Sequence, residues 1–252
     1  MFKPDVPVFD GNAVLGRRHD QRVRSDSREG MIAAMDRAGI GRALVHTPYA
    51  VTYDTRVGNR HVLELIGDEA RLTPQFVVNF TVDTVAAFAK TVEQAGVRSL
   101  RAFPKTHLYP LTGWAMGEWG DWMAGAGIGL WVSAYEVDAR DLYDVASTWR
   151  GLRVVLTDVH YVHHAVLQPL LRALPNLHVD LSRYDVPNAV ERLVTRMGPE
   201  RLLYGSAFPD LDPAPYLFYL HRCAFSRETL QAICHDNLAR LLGETYPPGP
   251  LP

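Results

Sequence analysis

The feature that most constrains this chain is an alternation. Short apolar runs recur between longer stretches whose apolar side chains repeat at helical spacing. The runs fall at 6–9, 42–46, 75–80, 97–103, 130–135, 153–156, 177–181 and 201–204. Ser27 is placed to cap a helix carrying Met31, Ile32 and Met35, and Gly39 stops it. A loop then runs through Pro48, Tyr49 and Tyr53 to Gly58 before a helical segment at 61–66. The segment 82–94 puts Val85, Phe88, Ala89 and Val92 on one face. Further helical stretches follow at 114–126, 139–149, 165–174, 188–196 and 216–225. Eight strands separated by helices predict an α/β chain closed into a single (β/α)8 TIM barrel rather than an open sheet. The barrel is expected to span residues 1–245, with a proline-rich tail at 246–252.

Length and charge agree with one such domain. A chain of 252 residues can bury a large core, and no repeat or linker divides it. A formal net charge of -2, with no Lys/Arg block, leaves no electrostatic footprint for nucleic acid or an anionic membrane surface. The opening M-F-K-P-D-V-P-V-F-D has no long apolar core, and no run is long enough to span a bilayer. Cys223 and Cys234 are the two cysteines, at a spacing that suits neither a metal pair nor a disulfide framework. A soluble cytoplasmic protein is expected. No strand is followed by a glycine-rich phosphate loop or a dinucleotide fingerprint, so no nucleotide cofactor is expected. The partner is expected to be a small-molecule substrate; apolar outer helices permit a homodimer without requiring one.

Barrels of this kind carry their reacting groups just past the strand ends. The stretch E-R-L-L-Y-G-S-A-F-P-D-L-D-P at 200–213 reads as a buried strand delivering a loop. With P-N-L-H-V-D-L-S at 175–182 and N-L-A-R-L-L-G from Asn237, it resembles the amidohydrolase superfamily, in its amidohydrolase-2 branch. The resemblance covers nearly the full length and implies the barrel fold. It also implies a metal centre whose ligands this chain does not keep. The family's Asp-x-His-x-His after the first strand is here Asp10-Gly11-Asn12-Ala13-Val14. Its histidines at the fifth and sixth strand ends align with Tyr135 and Asp158. The aspartate on the last strand, catalytic base and metal ligand in the family, is replaced by Ala207. No metal is therefore expected at the family's place, since a divalent ion needs three or four aimed donors. The run Asp158, His160, His163 and His164 could form a rearranged site, or be loop histidines bonded elsewhere.

The polar residues left at the strand ends are the candidates for chemistry. Asp10 is either a general base or the partner of a buried backbone amide. Asp158 is either a base or half of an ion pair. Lys105, near Arg101 and His107, could hold a carboxylate, act as a nucleophile if buried, or simply face solvent. Arg183 suits an anion or a loop salt bridge. Tyr135 fills the space of a lost histidine, with its hydroxyl available to a ligand. Asn12, His107 and His160 complete the expected substrate-binding set, and His46 reads as a core-edge histidine with its bonds satisfied. Trp114, Trp119, Trp122 and Trp131 read as packing between helices and barrel, with Trp114 near enough to the mouth to line a pocket. Three functions stay open. The first is a metal-independent hydrolase or lyase for a small carboxylate-bearing or cyclic substrate. The others are a non-catalytic relative that binds a ligand or partner, and a hydrolase with a displaced metal site.

Overall fold

The structure, a computed structural model, describes residues 2–23 and 25–244. The strands are β1 (Phe9–Val14), β2 (Arg42–His46), β3 (Leu72–Pro74), β4 (Phe76–Val78), β5 (Ser99–Ala102), β6 (Gly129–Ser133), β7 (Val154–Thr157), β8 (Leu177–Asp180) and β9 (Leu202–Leu203). The helices are α1 (Arg28–Ala38), α2 (Pro48–Thr52), α3 (Thr55–Ile66), α4 (Val85–Gln94), α5 (Gly113–Met116), α6 (Trp119–Ala126), α7 (Ala139–Thr148), α8 (His164–Ala173), α9 (Ala189–Met197), α10 (Pro213–Arg222), α11 (Arg227–Gln231) and α12 (Asn237–Leu241). All strand pairs are parallel, in the orders β1-β2-β3 and β4-β5-β6-β7-β8-β9.

The two sheets join into one barrel. β3 pairs with β2 and β4 pairs with β5, yet only Gln75 separates β3 from β4, so they are two halves of one barrel strand. Pro74, which has no N–H to donate, ends the first half, and the Gln75 amide reaches back to the Val45 carbonyl at 2.8 Å. At the other seam Gly11 N donates to Tyr204 O at 3.0 Å, Ala207 N to Asn12 O at 2.9 Å, and Val14 N to Phe208 O at 2.9 Å. Those bonds lay the end of the last strand along β1 and close an eight-position (β/α)8 barrel.

Alternation along the strands explains how the barrel is filled. At its lower end Phe9, Leu44, Trp131, Val155 and Leu203 pack with Leu238, Ala239, Leu241 and Leu242 of the C-terminal segment. Two residues further along their strands, Leu44, Trp131 and Val155 give way to the buried polar side chains His46, Ser133 and Thr157. Arg101 and Asp180 occupy the equivalent stretches of β5 and β8 and are also buried. The interior is therefore apolar below and polar toward the C-terminal ends of the strands. A larger apolar layer, including Met31, Phe76, Phe88, Trp119, Leu142 and Leu167, seals the helices onto the outside.

Three expectations change. The first strand is Phe9–Val14, not 6–9, so D-G-N-A-V is strand rather than the loop after it. Its polar residues are bonded inside the barrel, a tertiary effect that a turn signal such as Asp-Gly cannot report. The segment 114–126 is two helices, α5 and α6, parted at Gly117 with φ 51°. The expected loop at 47–58 contains α2, with Pro48 in its first turn, and the start of α3, capped by Asp54 accepting from Val57 N at 2.8 Å. The proline-rich tail lies outside the described residues.

Candidate active site

The C-terminal ends of the strands surround an open cavity of about 350 Å³. Its wall divides by chemistry. Val14, Pro48, Val51, Phe103 and Ala207 are apolar, whereas Arg18, Asp20, Arg101, Glu136, Asp158, Arg183 and Asp210 are charged. The charges alternate in a chain from rim to floor. Arg18 bonds Asp20 at 2.7 Å and spans both carboxylate oxygens of Asp210 at 2.9 and 3.0 Å. Arg183 lies 3.7 Å from Asp210 and 3.4 Å from Asp158, and Asp158 lies 3.5 Å from Arg101. On the opposite side Thr106 donates its amide and hydroxyl to Glu136.

Asp158 stands just past β7 with φ 56°, and its carboxylate accepts from the Thr157 hydroxyl at 2.9 Å. Ala207, at φ 54°, lines the same cavity. Left-handed backbone at a non-glycine residue is uncommon and collects where the surroundings hold a site in shape.

Beneath the cavity floor lies a buried polar layer. Arg101, only 4% exposed, donates from Nη1 to Asn12 Oδ1 at 2.8 Å and from Nη2 to the Thr157 hydroxyl at 3.0 Å. Its Nε has no partner among the described residues. Burial draws its pKa down from the ordinary guanidinium value, and Asp158 and Asp180 oppose that shift. The Asn12 amide cannot flip, because its Nδ2 donates to Asp180 Oδ1 at 3.1 Å and Ser182 Oγ at 3.3 Å. Asp180 is fully buried with Oδ2 unpartnered among the described residues, and burial pushes its pKa up to about 7. It fits only because residue 205 is glycine: a Cβ there would lie 1.8 Å from Asp180 Oδ2 and 2.8 Å from Asn12 Cβ. His46 reaches the cavity wall from β2. Burial, with Arg101 nearby, lowers its pKa well below the usual histidine value, so it is neutral, and its Nδ1 is unpartnered among the described residues.

The structure brings together some of the expected residues and scatters others. Asn12, Asp158 and Arg183 line the cavity. Asp10 sits under the floor, where Oδ1 accepts from Asn12 N at 3.0 Å and Ser206 N at 2.8 Å. Its carboxylate thus ties β1 to the loop after β9, the backbone-partner role rather than that of an exposed base. Lys105 is about half exposed and lies 3.8 Å from Asp138, away from the cavity wall. His107 bonds the Val51 carbonyl at 2.8 Å. Tyr135 is exposed with its ring edge-on to His163, and His160 faces Asp185 at 3.4 Å. Trp114 is 77% exposed rather than pocket-lining, while Trp119 and Trp131 are buried. His46 is buried at the core edge as expected, with Nδ1 unpartnered among the described residues.

Sequence reasoning did not place Arg18, Asp180, Glu136 and Asp210, and took Arg101 only as support for Lys105. Two of these carried a signal. An arginine inside the apolar run 97–103 and an aspartate inside 177–181 must each find buried partners, which points inward. Nothing local announces Arg18 or Asp210, which meet across 192 residues of chain.

The family resemblance implies a metal ion at these strand ends, and the residues present do not fit one. Asn12, Val14 and Ala207 offer no anionic or imidazole donor, and a fixed guanidinium bonds the Asn12 side chain. Two unit charges 4 Å apart interact by about 4 kcal/mol at an effective dielectric near 20, so a divalent ion beside Arg101 would meet roughly twice that repulsion. The Asp158, His160, His163 and His164 set does not converge: His163 Nδ1 accepts from the His160 amide at 3.0 Å, and His164 Nδ1 pairs with the Tyr184 hydroxyl at 2.6 Å. Among the described residues no three His, Cys, Asp or Glu side chains are grouped to hold a metal.

Comparison with known proteins places this barrel. The amidohydrolase family model matches residues 13–243. Among solved structures, an uncharacterized TIM-barrel protein from Bordetella bronchiseptica superposes with TM-score 0.76 at 15% identity, covering 94% of this chain and 99% of its own. The 5-carboxyvanillate decarboxylase from Sphingomonas paucimobilis gives TM-score 0.72 at 12% identity, covering 96% and 100%. A probable 2-pyrone-4,6-dicarboxylic acid hydrolase from Acinetobacter baumannii, with citric acid bound, gives 0.71 at 14%, covering 94% and 100%. No curated protein matches the chain significantly. With a family match over nearly the whole length and a barrel that closes as the alternation predicts, the chain belongs to the amidohydrolase family.

Proposed function

We propose that this protein is a metal-independent hydrolase or lyase acting on a small carboxylate-bearing substrate in the barrel mouth, with Asp158 as the proton acceptor. The observation that carries this is the position of Asp158. It stands on left-handed backbone at the cavity wall, between guanidinium groups 3.5 and 3.4 Å away. Such flanking fixes the direction of the carboxylate at the cavity wall. The charged wall, with Arg18 and Arg183, suits a substrate carboxylate, and the apolar wall of Val14, Pro48, Val51 and Phe103 suits its organic body. Two structural neighbours bear the names of enzymes acting on carboxylates. Their low identity shows the fold alone, so the chemistry is argued from the cavity.

In hydrolysis, Asp158 takes a proton from water as the water oxygen bonds to the substrate's carbonyl carbon. The carbonyl electron pair moves onto its oxygen. Collapse of that adduct breaks the bond to the leaving group, which recovers the proton from Asp158. Lys105, at the exposed rim, has no part in these steps.

The test is turnover of small lactones, amides and aromatic carboxylates by wild type and by Asp158→Asn, with thermal melts confirming that the variant folds. Loss of a general base lowers kcat by about 10²–10⁴. Turnover unchanged in the folded variant would remove Asp158 from the mechanism, and ligand binding without turnover in wild type would make the protein a binding relative.

A further inference from the structure

We propose that the Arg101 guanidinium is the resident cation of this barrel mouth, standing in for the metal of the family and taking the substrate oxygen on which negative charge develops. The inference rests on the cavity being the reaction site, as argued above, and adds the group that answers the base.

The placement supports it from three sides. Arg101 comes from β5, which supplies none of the aligned ligand positions, yet its guanidinium bonds Asn12 at the first strand and lies 3.5 Å from Asp158 at the sixth barrel position. Those are two of the positions where the family pattern has metal ligands. A guanidinium has five N–H donors. Of Arg101's, one is spent on Asn12 and one on Thr157, and Nε is unpartnered among the described residues. The group is nine-tenths buried or more and lines the cavity; Nε is enclosed, so the second N–H groups of Nη1 and Nη2 are the donors left for an oxyanion.

Its aim is fixed from behind. Asp180 and Ser182 hold the Asn12 amide so that its oxygen, not its nitrogen, faces Arg101. Gly205 leaves room for that contact. Preorganised donors stabilise developing charge without reorganising during the reaction, as a bound metal does.

The experiment measures citrate binding by calorimetry in wild type, Arg101→Ala, Arg101→Lys and Asp158→Asn, each checked for folding by circular dichroism. Arg101→Ala should weaken citrate at least about tenfold, and methylguanidinium, against a sodium chloride control of equal ionic strength, should restore much of the loss by refilling the site. Arg101→Lys should fall between the two. Asp158→Asn, which removes a competing carboxylate, should tighten citrate. Citrate affinity within twofold of wild type in folded Arg101→Ala overturns the proposal. So does a loss that neither lysine nor methylguanidinium repairs, which marks a structural role, and so does failure of wild type to bind citrate. None of these outcomes touches the Asp158→Asn turnover test, so the two readings fail separately.

Discussion

Asp180 is the side chain whose surroundings set the clearest pH dependence. Buried beneath the cavity, it binds its proton near pH 7 in the folded chain, against 3.8 for an unperturbed aspartate. Its folded pKa is raised, so between those values the folded state holds more protons than the unfolded one, and stability falls as pH rises through that window. Below about pH 4 both states are protonated and the effect vanishes. Asp180→Asn keeps the shape and the acceptor facing Asn12 while removing the ionisation. The variant should lose roughly 2–3 kcal/mol less than wild type between pH 5 and 8, at about 1.4 kcal/mol per pKa unit. Urea unfolding at the two pH values measures this, and parallel losses in both proteins would show that Asp180 does not titrate in the window. The sequence announces such a residue only as an aspartate in an apolar strand. That Gly205 is glycine so that Asp180 can approach, rather than only to end a strand, appears once the two strands are side by side.

Elements are held to one another by buried side-chain amides, and this explains two motifs that looked merely shared with the family. Asn176, in P-N-L-H-V-D-L-S, donates to the carbonyls of Ala146 at 2.9 Å and Leu152 at 2.8 Å, tying the end of α7 and the turn before β7 to the start of β8. Asn237, opening N-L-A-R-L-L-G, donates to Pro199 O at 2.8 Å and Leu202 O at 2.9 Å, fastening the C-terminal helix to β9. Asn237→Ala removes both bonds; Pro199 O keeps the Leu202 amide at 3.0 Å, and the Leu202 carbonyl loses its buried side-chain donor. An expected loss of about 2–4 kcal/mol follows from the net value of two bonds plus one unsatisfied acceptor. Denaturant midpoints should drop with the m-value unchanged, and a loss under about 0.5 kcal/mol would mean water replaces the amide. Strands with strong apolar character, such as 42–46, were readable almost to the residue because burial on both faces leaves continuous runs. β1 was not, because its second half trades apolar residues for Asn12 and a bulge between Asp10 and Ala13. The run 75–80 covered β4 but not β3, whose short stretch Leu72–Pro74 carries one buried apolar residue and ends in proline.

At the scale of the whole molecule, two kinds of information separate. Periodicity and turn chemistry reach the barrel, since each strand and helix declares itself within about ten residues of chain. The mouth is assembled from residues as far apart as Asn12, Arg101, Asp158, Arg183 and Asp210, and only closure of the barrel decides which of them meet. Asp158 and Arg183 were found because a strand end is a local address. Lys105 was singled out by the same rule, and its side chain turns to Asp138 instead. The loss of metal-ligand residues is visible in the sequence, but the guanidinium in their midst is visible only in three dimensions. It gives the molecule a measurable signature. A ligand that binds only the folded state at a hundred times its Kd stabilises by about 2.7 kcal/mol. In a chain of this size each kcal/mol moves Tm by about 2–4 °C, so a true zinc site would raise Tm by roughly 5–11 °C on loading and lose as much to a chelator. With Arg101 seated beside Asn12, neither stoichiometric zinc nor EDTA should move the melting curve by more than about 1 °C. A chelator-sensitive Tm would show that donors converge on a cation here, and the mouth would then have to be rebuilt around that ion.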